Sequence, residues 1–184
     1  DTAARAKAAG ATVIRQTPNQ GKGQALRNGF RKALLLDADA VITLDGDGQH
    51  DPAEIPNFLK YQKVAPHGLV IGCRDFSQMP LSRRFANTFG RKLLSLAIGQ
   101  DIPDNQSGYR LIRRDLMELM LESPEQGFEF EVEMVVLALK HQLGIGWVPI
   151  RTIYTDGRSH IRPLQHIVNF FRITIRAWNK MHAR

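Results

Sequence analysis

Two aspartates two residues apart, Asp45 and Asp47, close an apolar run in the stretch Val41-Ile-Thr-Leu-Asp45-Gly-Asp47-Gly-Gln49-His50-Asp51-Pro52. A hydrophobic strand ending this way delivers two carboxylates to one turn, and Gly46 and Gly48 let the backbone bend tightly around them. Like charges so close repel unless a cation sits near both. Hard oxygen donors suit Mg²⁺ or Mn²⁺, which keep waters and bridge to phosphate oxygens. Gln49 adds an oxygen on the same side. The plain alternative is an exposed polar turn. Other metal and phosphate motifs fit worse. An EF-hand loop would want Asp or Asn at 49, Gly at 50 and Glu at 56, where the chain has Gln49, His50 and Pro56. A P-loop ending at Gly21-Lys22 would want Gly at 16 and Ser or Thr at 23, where the chain has Gln16 and Gly23. His50 reads as a polar residue at a helix start, and the other histidines lack metalloprotease spacing.

The elements that must hold this turn follow from periodicity. Helices are predicted over 2–9, from 25 with Leu26, Phe30 and Leu34 on one stripe, over 52–64, over 81–98, from 115, over 129–143 and over 163–181. Strands are predicted over 11–15, 40–44, 69–73, 109–112 and 145–155. Strands alternating with helices indicate an α/β sandwich with a largely parallel sheet. Ligands in such sheets sit beyond the carboxyl ends of strands, so the turns after Leu44 and Cys73 are the places to look.

The chain has 184 residues, 43% hydrophobic and 23% charged, which excludes disorder over most of its length. The single cysteine, Cys73, excludes a disulfide framework and a cysteine-based zinc site. Its flanks read as a buried strand, so the thiol is expected to be inert, and a reducing compartment follows. Net charge is +7, and the excess lies in the tail, where six Arg or Lys and no acid follow Gly157. No run approaches the roughly 20 apolar residues a membrane span needs. In the last helix Leu164, Ile167, Val168, Phe171, Ile175 and Trp178 share a stripe, and Arg172, Arg176 and Lys180 another. Such a basic amphipathic helix either lies in an anionic membrane interface or packs on the sheet with its charges solvated. Nucleic acid is not an expected partner, because the tail lacks the interleaved surface aromatics of single-strand binders.

Several stretches, in order, resemble the family 2 glycosyltransferases of the GT-A fold, and most closely those that transfer a sugar to a polyprenyl (dolichyl-type) phosphate. Asn19-Gln-Gly-Lys22-Gly-Gln-Ala-Leu-Arg27 is similar to the family's Gly-Lys-Gly loop and helix. Leu44 to Pro52 is similar to its DxD turn, with Asp51-Pro52 where the subgroup often has Pro-Pro. Ile71-Gly-Cys-Arg74 resembles its Gly-x-Arg strand, and Asp104-Asn-Gln-Ser-Gly-Tyr-Arg110 its Asp-x-x-Ser-Gly-Phe/Tyr-Arg segment. Phe128-Glu-Phe-Glu-Val-Glu133, Val148-Pro-Ile150 and Gly157-Arg-Ser-His-Ile-Arg162 follow in their expected places.

The resemblance implies a GT-A-like (Rossmann-like), mostly parallel α/β sheet flanked by helices, with a transferase domain over 1–162 and the C-terminal basic helix over 163–184. It implies that Asp45, Asp47 and Gln49 hold Mg²⁺ or Mn²⁺ on the diphosphate of a nucleoside-diphosphate sugar. Lys22 would lie near the nucleotide. Arg74, Ser107, Arg110 and the pair Arg83-Arg84 would contact phosphate, a task that suits the planar guanidinium fork. Transfer would be a single inverting displacement. Asp47 and Glu129 would be the catalytic acids, Glu129 serving as base or acceptor-site acid. Glu129 and Glu133 share one helical face, and Glu131 points away. A lipid-phosphate acceptor would place the protein at the cytoplasmic face of a membrane, peripherally, through the last helix. The family's two opening strands, ending in Pro-x-x-Asn-Glu and Asp-Asp-Gly-Ser type segments, have no counterpart here, so an N-terminally truncated member is expected. Two other readings stay open: a catalytically inactive, membrane-peripheral binding module, and a haloacid-dehalogenase-like phosphatase. The phosphatase would want Thr or Val where the chain has Gln49.

Overall fold

The computed structural model describes residues 1–75, 81–125, 127, 129–151, 153 and 163–182, with side chains at all of these except 81–87 and 163–170. Among the described residues the helices are α1 (Thr2–Ala8), α2 (Lys22–Leu35), α3 (Ile55–Val64), α4 (Leu81–Ile98), α5 (Arg114–Leu121), α6 (Glu129–Lys140) and α7 (Pro163–His182). A short 3-10 turn, Pro52–Glu54, leads into α3; its N-cap is Asp51, whose side chain accepts from the Ala53 N–H. The strands are β1 (Ala40–Thr43), β2 (Leu69–Arg74), β3 (Arg110–Arg113) and β4 (Ile145–Ile150).

The sheet order is β1-β3-β2-β4. β2 and β4 pair in parallel, while β3 is antiparallel to both β1 and β2. Three strands therefore run one way, as a mostly parallel α/β sheet requires, with β3 reversed between them. The reversal matters for the site. Arg110, where β3 starts, pairs with Thr43 at the end of β1 and with Ile71 near the end of β2. The segment before β3 thus arrives at the same rim as the carboxyl ends of β1 and β2.

Strand alternation divides the core in two. Leu69, Ile71 and Ile112 face a large cluster with Phe30, Leu94, Leu116 and the apolar length of α6. Val70, Leu111, Val148 and Ile150 face the other side, where Phe58 of α3 stacks on Tyr109 with ring centroids 4.6 Å apart. Helix α6 is buried nearly all round, from Phe130 to Ala138, and α7 packs against α4 and α6.

One predicted strand does not form. Residues 11–15 are extended without a ladder, and Val13 and Ile14 are exposed. Their β-type composition expresses a fit to a pleated, half-buried surface, and among the described residues no strand pairs with them. The last strand stops at Ile150, and of the predicted remainder residues 152, 154 and 155 lie outside the described residues.

Candidate functional site

The rim beyond β1 is built first by local bonds. The Asp45 N–H donates to Nδ1 of His50 at 3.0 Å, so that nitrogen is unprotonated. Burial holds the His50 imidazole below its ordinary range, against the opposing pull of Asp45 and Asp47. The ring lies 5.1 Å from that of Tyr109, whose hydroxyl donates to the Asp51 carbonyl at 3.0 Å. His50 therefore braces the turn rather than starting a helix. Asp47 is exposed, and its Oδ1 accepts the Gln49 N–H at 3.0 Å. Gly48 takes the positive φ of 80° that closes the turn.

The second wall comes from the segment before β3. The Thr43 hydroxyl donates to the Gly108 carbonyl at 2.8 Å. A Cβ at position 108 would stand 2.6 Å from Asp45 Oδ2, inside van der Waals contact, so only glycine admits the carboxylate there. The third wall is the start of α2. Lys22 Nζ lies 2.8 Å from Asp45 Oδ1 and 3.1 Å from Glu131 Oε1. The Glu131 side chain is only 6% exposed. From Lys22 and Asp45 a groove of about 390 Å³ runs between α2 and β1, past Leu26, Phe30 and Val41.

Beneath the rim lies a layer of paired charge. Arg74 grips Asp104 with both prongs of its fork, Nε to Oδ2 at 2.7 Å and Nη2 to Oδ1 at 2.9 Å. Arg110 is fully buried. It donates to the carbonyls of Ser107 at 2.8 Å, Glu131 at 2.6 Å and Asn105 at 3.1 Å. Burial lowers its pKa, while Glu131, Asp104 and Asp45 oppose that shift.

Four expected site residues therefore need correction or relocation. Arg110 ties three backbone carbonyls together inside the protein and offers no surface to a phosphate. Ser107 is buried too, its hydroxyl accepting the Tyr109 N–H at 3.4 Å. Arg74 reaches the rim, but with its fork already on a carboxylate. Glu129 lies on the far side of α6, lining a small cleft with Glu125, Glu133 and Arg176. It is Glu131, expected to point away, that faces Lys22. Of the other expected residues, Lys22 meets Asp45, and Asp47 and Gln49 are joined within the turn that follows. The side chains of Arg83 and Arg84, and the segment Gly157–Arg162, lie outside the described residues.

Glu131, Asp104, His50 and Gly108 were not assigned to the site from sequence, Glu131 being read as pointing away and His50 as starting a helix. A helix buried on every side gives no polar face by which to choose between Glu129 and Glu131. Asp104 was legible only as part of a motif, because its partner lies 30 residues away.

The rim offers hard oxygen donors at a strand end, and among the described residues no cluster of three or more His, Cys, Asp or Glu stands elsewhere or here. Two carboxylates and an amide suit an ion that completes its shell with water and phosphate, as Mg²⁺ and Mn²⁺ do.

Comparison with known proteins bears on the same residues. Residues 1–120, which include the whole β1 turn and Arg110, match glycosyl transferase family 2. The chain belongs to that family. This family 2 chain is 33% identical over 150 residues to the UDP-N-acetylglucosamine–dolichyl-phosphate N-acetylglucosaminyltransferase of Methanococcus voltae, covering 78% of the chain and 60% of that protein. It is 31% identical over 184 residues to the undecaprenyl-phosphate mannosyltransferase of Micrococcus luteus, covering 94% of the chain and 75% of that protein. Among solved structures, glucosyl-3-phosphoglycerate synthase from Mycobacterium tuberculosis, crystallised with Mn²⁺ and UDP-glucose, superposes with a TM-score of 0.71 at 21% identity. That match covers 98% of the chain and 64% of the solved one, and it establishes the GT-A type of α/β fold. Family membership sets aside the phosphatase reading.

Proposed function

We propose that the chain carries the donor-diphosphate site of a metal-dependent, inverting glycosyltransferase that moves a sugar from a nucleoside-diphosphate sugar to a polyprenyl-phosphate-type acceptor. The observation that supports this reading is the Lys22–Asp45 pair just beyond the end of β1, with the exposed Asp47 two residues on in the same turn. Asp45, Asp47 and Gln49 would hold Mg²⁺ or Mn²⁺, which when bound offsets the negative charge that grows on a departing nucleoside diphosphate. Lys22 adds a fixed positive charge beside the same carboxylates. Arg74, held by Asp104, is assigned to phosphate on the motif. Arg84 is assigned to phosphate on the motif alone. Arg110, Ser107 and His50 hold the rim in shape. A lipid phosphate is already an anion near pH 7 and attacks without a general base, so this reading needs no proton acceptor at Glu129.

The acceptor class rests on the two named relatives and on α7. That helix buries Ile173, Thr174 and Ala177 and leaves Phe171, Ile175 and Trp178 exposed, with Trp178 47% accessible. Exposed aromatics and Arg172 on one helix fit the interfacial layer of a membrane. None of the described helices is long and apolar enough to cross one. On this reading α7 lies peripherally against a membrane surface, and the cytoplasmic face is the side we propose.

Calorimetric titration with UDP and GDP, each with and without Mn²⁺, tests the donor site. Binding that requires Mn²⁺ and falls at least about tenfold in Asp47→Ala supports it. Metal-independent binding, or equal binding by the variant, refutes it. Flotation with phosphatidylglycerol vesicles tests α7: Trp178→Ala should reduce the bound fraction.

A further inference from the structure

Lys22 holds two carboxylates of different kinds. Asp45 stands on the rim with its side chain 36% exposed, while Glu131 lies behind it at 6%. Among the described residues Lys22 is the ion-pair partner of Glu131, and the pair lies on the side of α6 opposite Glu129 and Glu133. Glu131 also receives Arg110 on its backbone carbonyl, which pins that turn of the helix in place.

The ammonium of Lys22 sits on an oxygen of Asp45 that a divalent cation at this turn would need. An ammonium and a doubly charged ion do not share one carboxylate without strong repulsion. Lys22 must therefore yield Asp45 when the cation enters. Were Asp45 its only anion, that release would cost the full ion pair and free the side chain to solvent. Glu131 removes most of this cost. It lies within contact distance of the same Nζ, and being buried it strongly favours keeping a positive partner.

We propose that Glu131 is a positioning residue: it takes Lys22 from Asp45 when a divalent cation binds, easing cation entry and keeping the ammonium beside the diphosphate. This rests on the reading that Asp45 and Asp47 hold the metal. It assigns the acid of α6 that matters to the rim, and it gives Lys22 two states, resident cation in the metal-free rim and phosphate-facing cation in the loaded one.

The test is Mn²⁺ affinity without nucleotide, read from the electron paramagnetic resonance of free Mn²⁺, in the wild type, Glu131→Gln, Lys22→Met and the double variant. Glu131→Gln should weaken Mn²⁺ about fivefold, and Lys22→Met should tighten it by a similar factor. The decisive outcome is the cycle. In the Lys22→Met background, Glu131→Gln should change Mn²⁺ affinity less than about twofold, because Glu131 acts through Lys22. An undiminished fivefold loss in that background would overturn the inference, since it would mark a direct field effect of the carboxylate. Unchanged Mn²⁺ affinity in both single variants would overturn it too while leaving the metal site standing. A wild type that binds no Mn²⁺ would overturn the metal site itself, and the inference with it. The second readout is UDP affinity at saturating Mn²⁺, which should fall in Lys22→Met and less so in Glu131→Gln. Circular dichroism checks each fold; should Glu131→Gln fail to fold, Lys22→Met, at a side chain 27% exposed, carries the test through its opposite sign.

Discussion

Helix α6 carries two lysine pairs two residues apart, and they do different work. Glu131 meets Lys22 of α2 at 3.1 Å on the rim side, and Glu133 meets Lys180 of α7 at 2.7 Å on the other. Both carboxylates are nearly buried. The difference lies in what each lysine touches next. Lys22 also reaches Asp45 and so joins the helix to the β1 turn. Lys180 reaches no second acid among the ion pairs described and, with Arg176 on Glu125, fastens α7 to the body. Identical pairs on one helix thus serve a binding rim on one side and a docking contact on the other. A lysine's role is set by its second neighbour, not its first.

The sharpest break on the rim side is Arg110→Leu. It strands three backbone carbonyls and removes the charge that Glu131, Asp104 and Asp45 surround. Urea unfolding should show a loss of about 3–5 kcal/mol, the range for uncoupling a buried charge network. A loss under about 1 kcal/mol would mean the rim does not depend on this brace.

Gly108→Ala separates geometry from stability on the same side. The new Cβ must push the Asp45 carboxylate, so Mn²⁺ affinity should fall about tenfold while stability drops only about 1–2 kcal/mol. Wild-type affinity would show that Asp45 needs no close approach to the chain at 108.

On the α7 side, Lys180→Ala removes a pair whose lysine side chain is 35% exposed. With solvent screening at the lysine set against the nearly buried Glu133 carboxylate left unpaired, the cost should be about 1 kcal/mol, with Mn²⁺ and UDP binding unchanged. A loss of nucleotide binding would erase the distinction between the two faces of α6.

The smallest effect is at Cys73, half-buried in β2, where burial first and Asp104 second push the thiol upward. A raised pKa keeps the thiol protonated further into alkaline pH, so alkylation by iodoacetamide at pH 8.5 should run several-fold slower than in urea. Equal rates would place the thiol in open solvent.

Much of this protein was legible residue by residue. The β1 turn announces itself, because an apolar run ending in two spaced carboxylates has few uses. The helical stripe of α2 and the continuous apolar run of β2 are signals that survive without a partner. The stripe of Phe171, Ile175 and Trp178 was written in α7, though whether it faced the core or the outside was not.

By itself, then, the sequence determined the α/β alternation, the carboxylate turn with Lys22 ahead of it, and a basic tail helix. The tertiary structure alone decided three things. It reversed β3, which carries Gly108 and Asp104 to the rim of β1 and β2; strand direction depends on how a connection crosses the sheet, not on the strand's own residues. It buried Arg110 and clasped Arg74 on Asp104, because a guanidinium's role depends on whether carbonyls or solvent surround it. And it turned Glu131 rather than Glu129 toward Lys22, because on a helix apolar all round the packing of its neighbours, not its own pattern, sets which side faces the site.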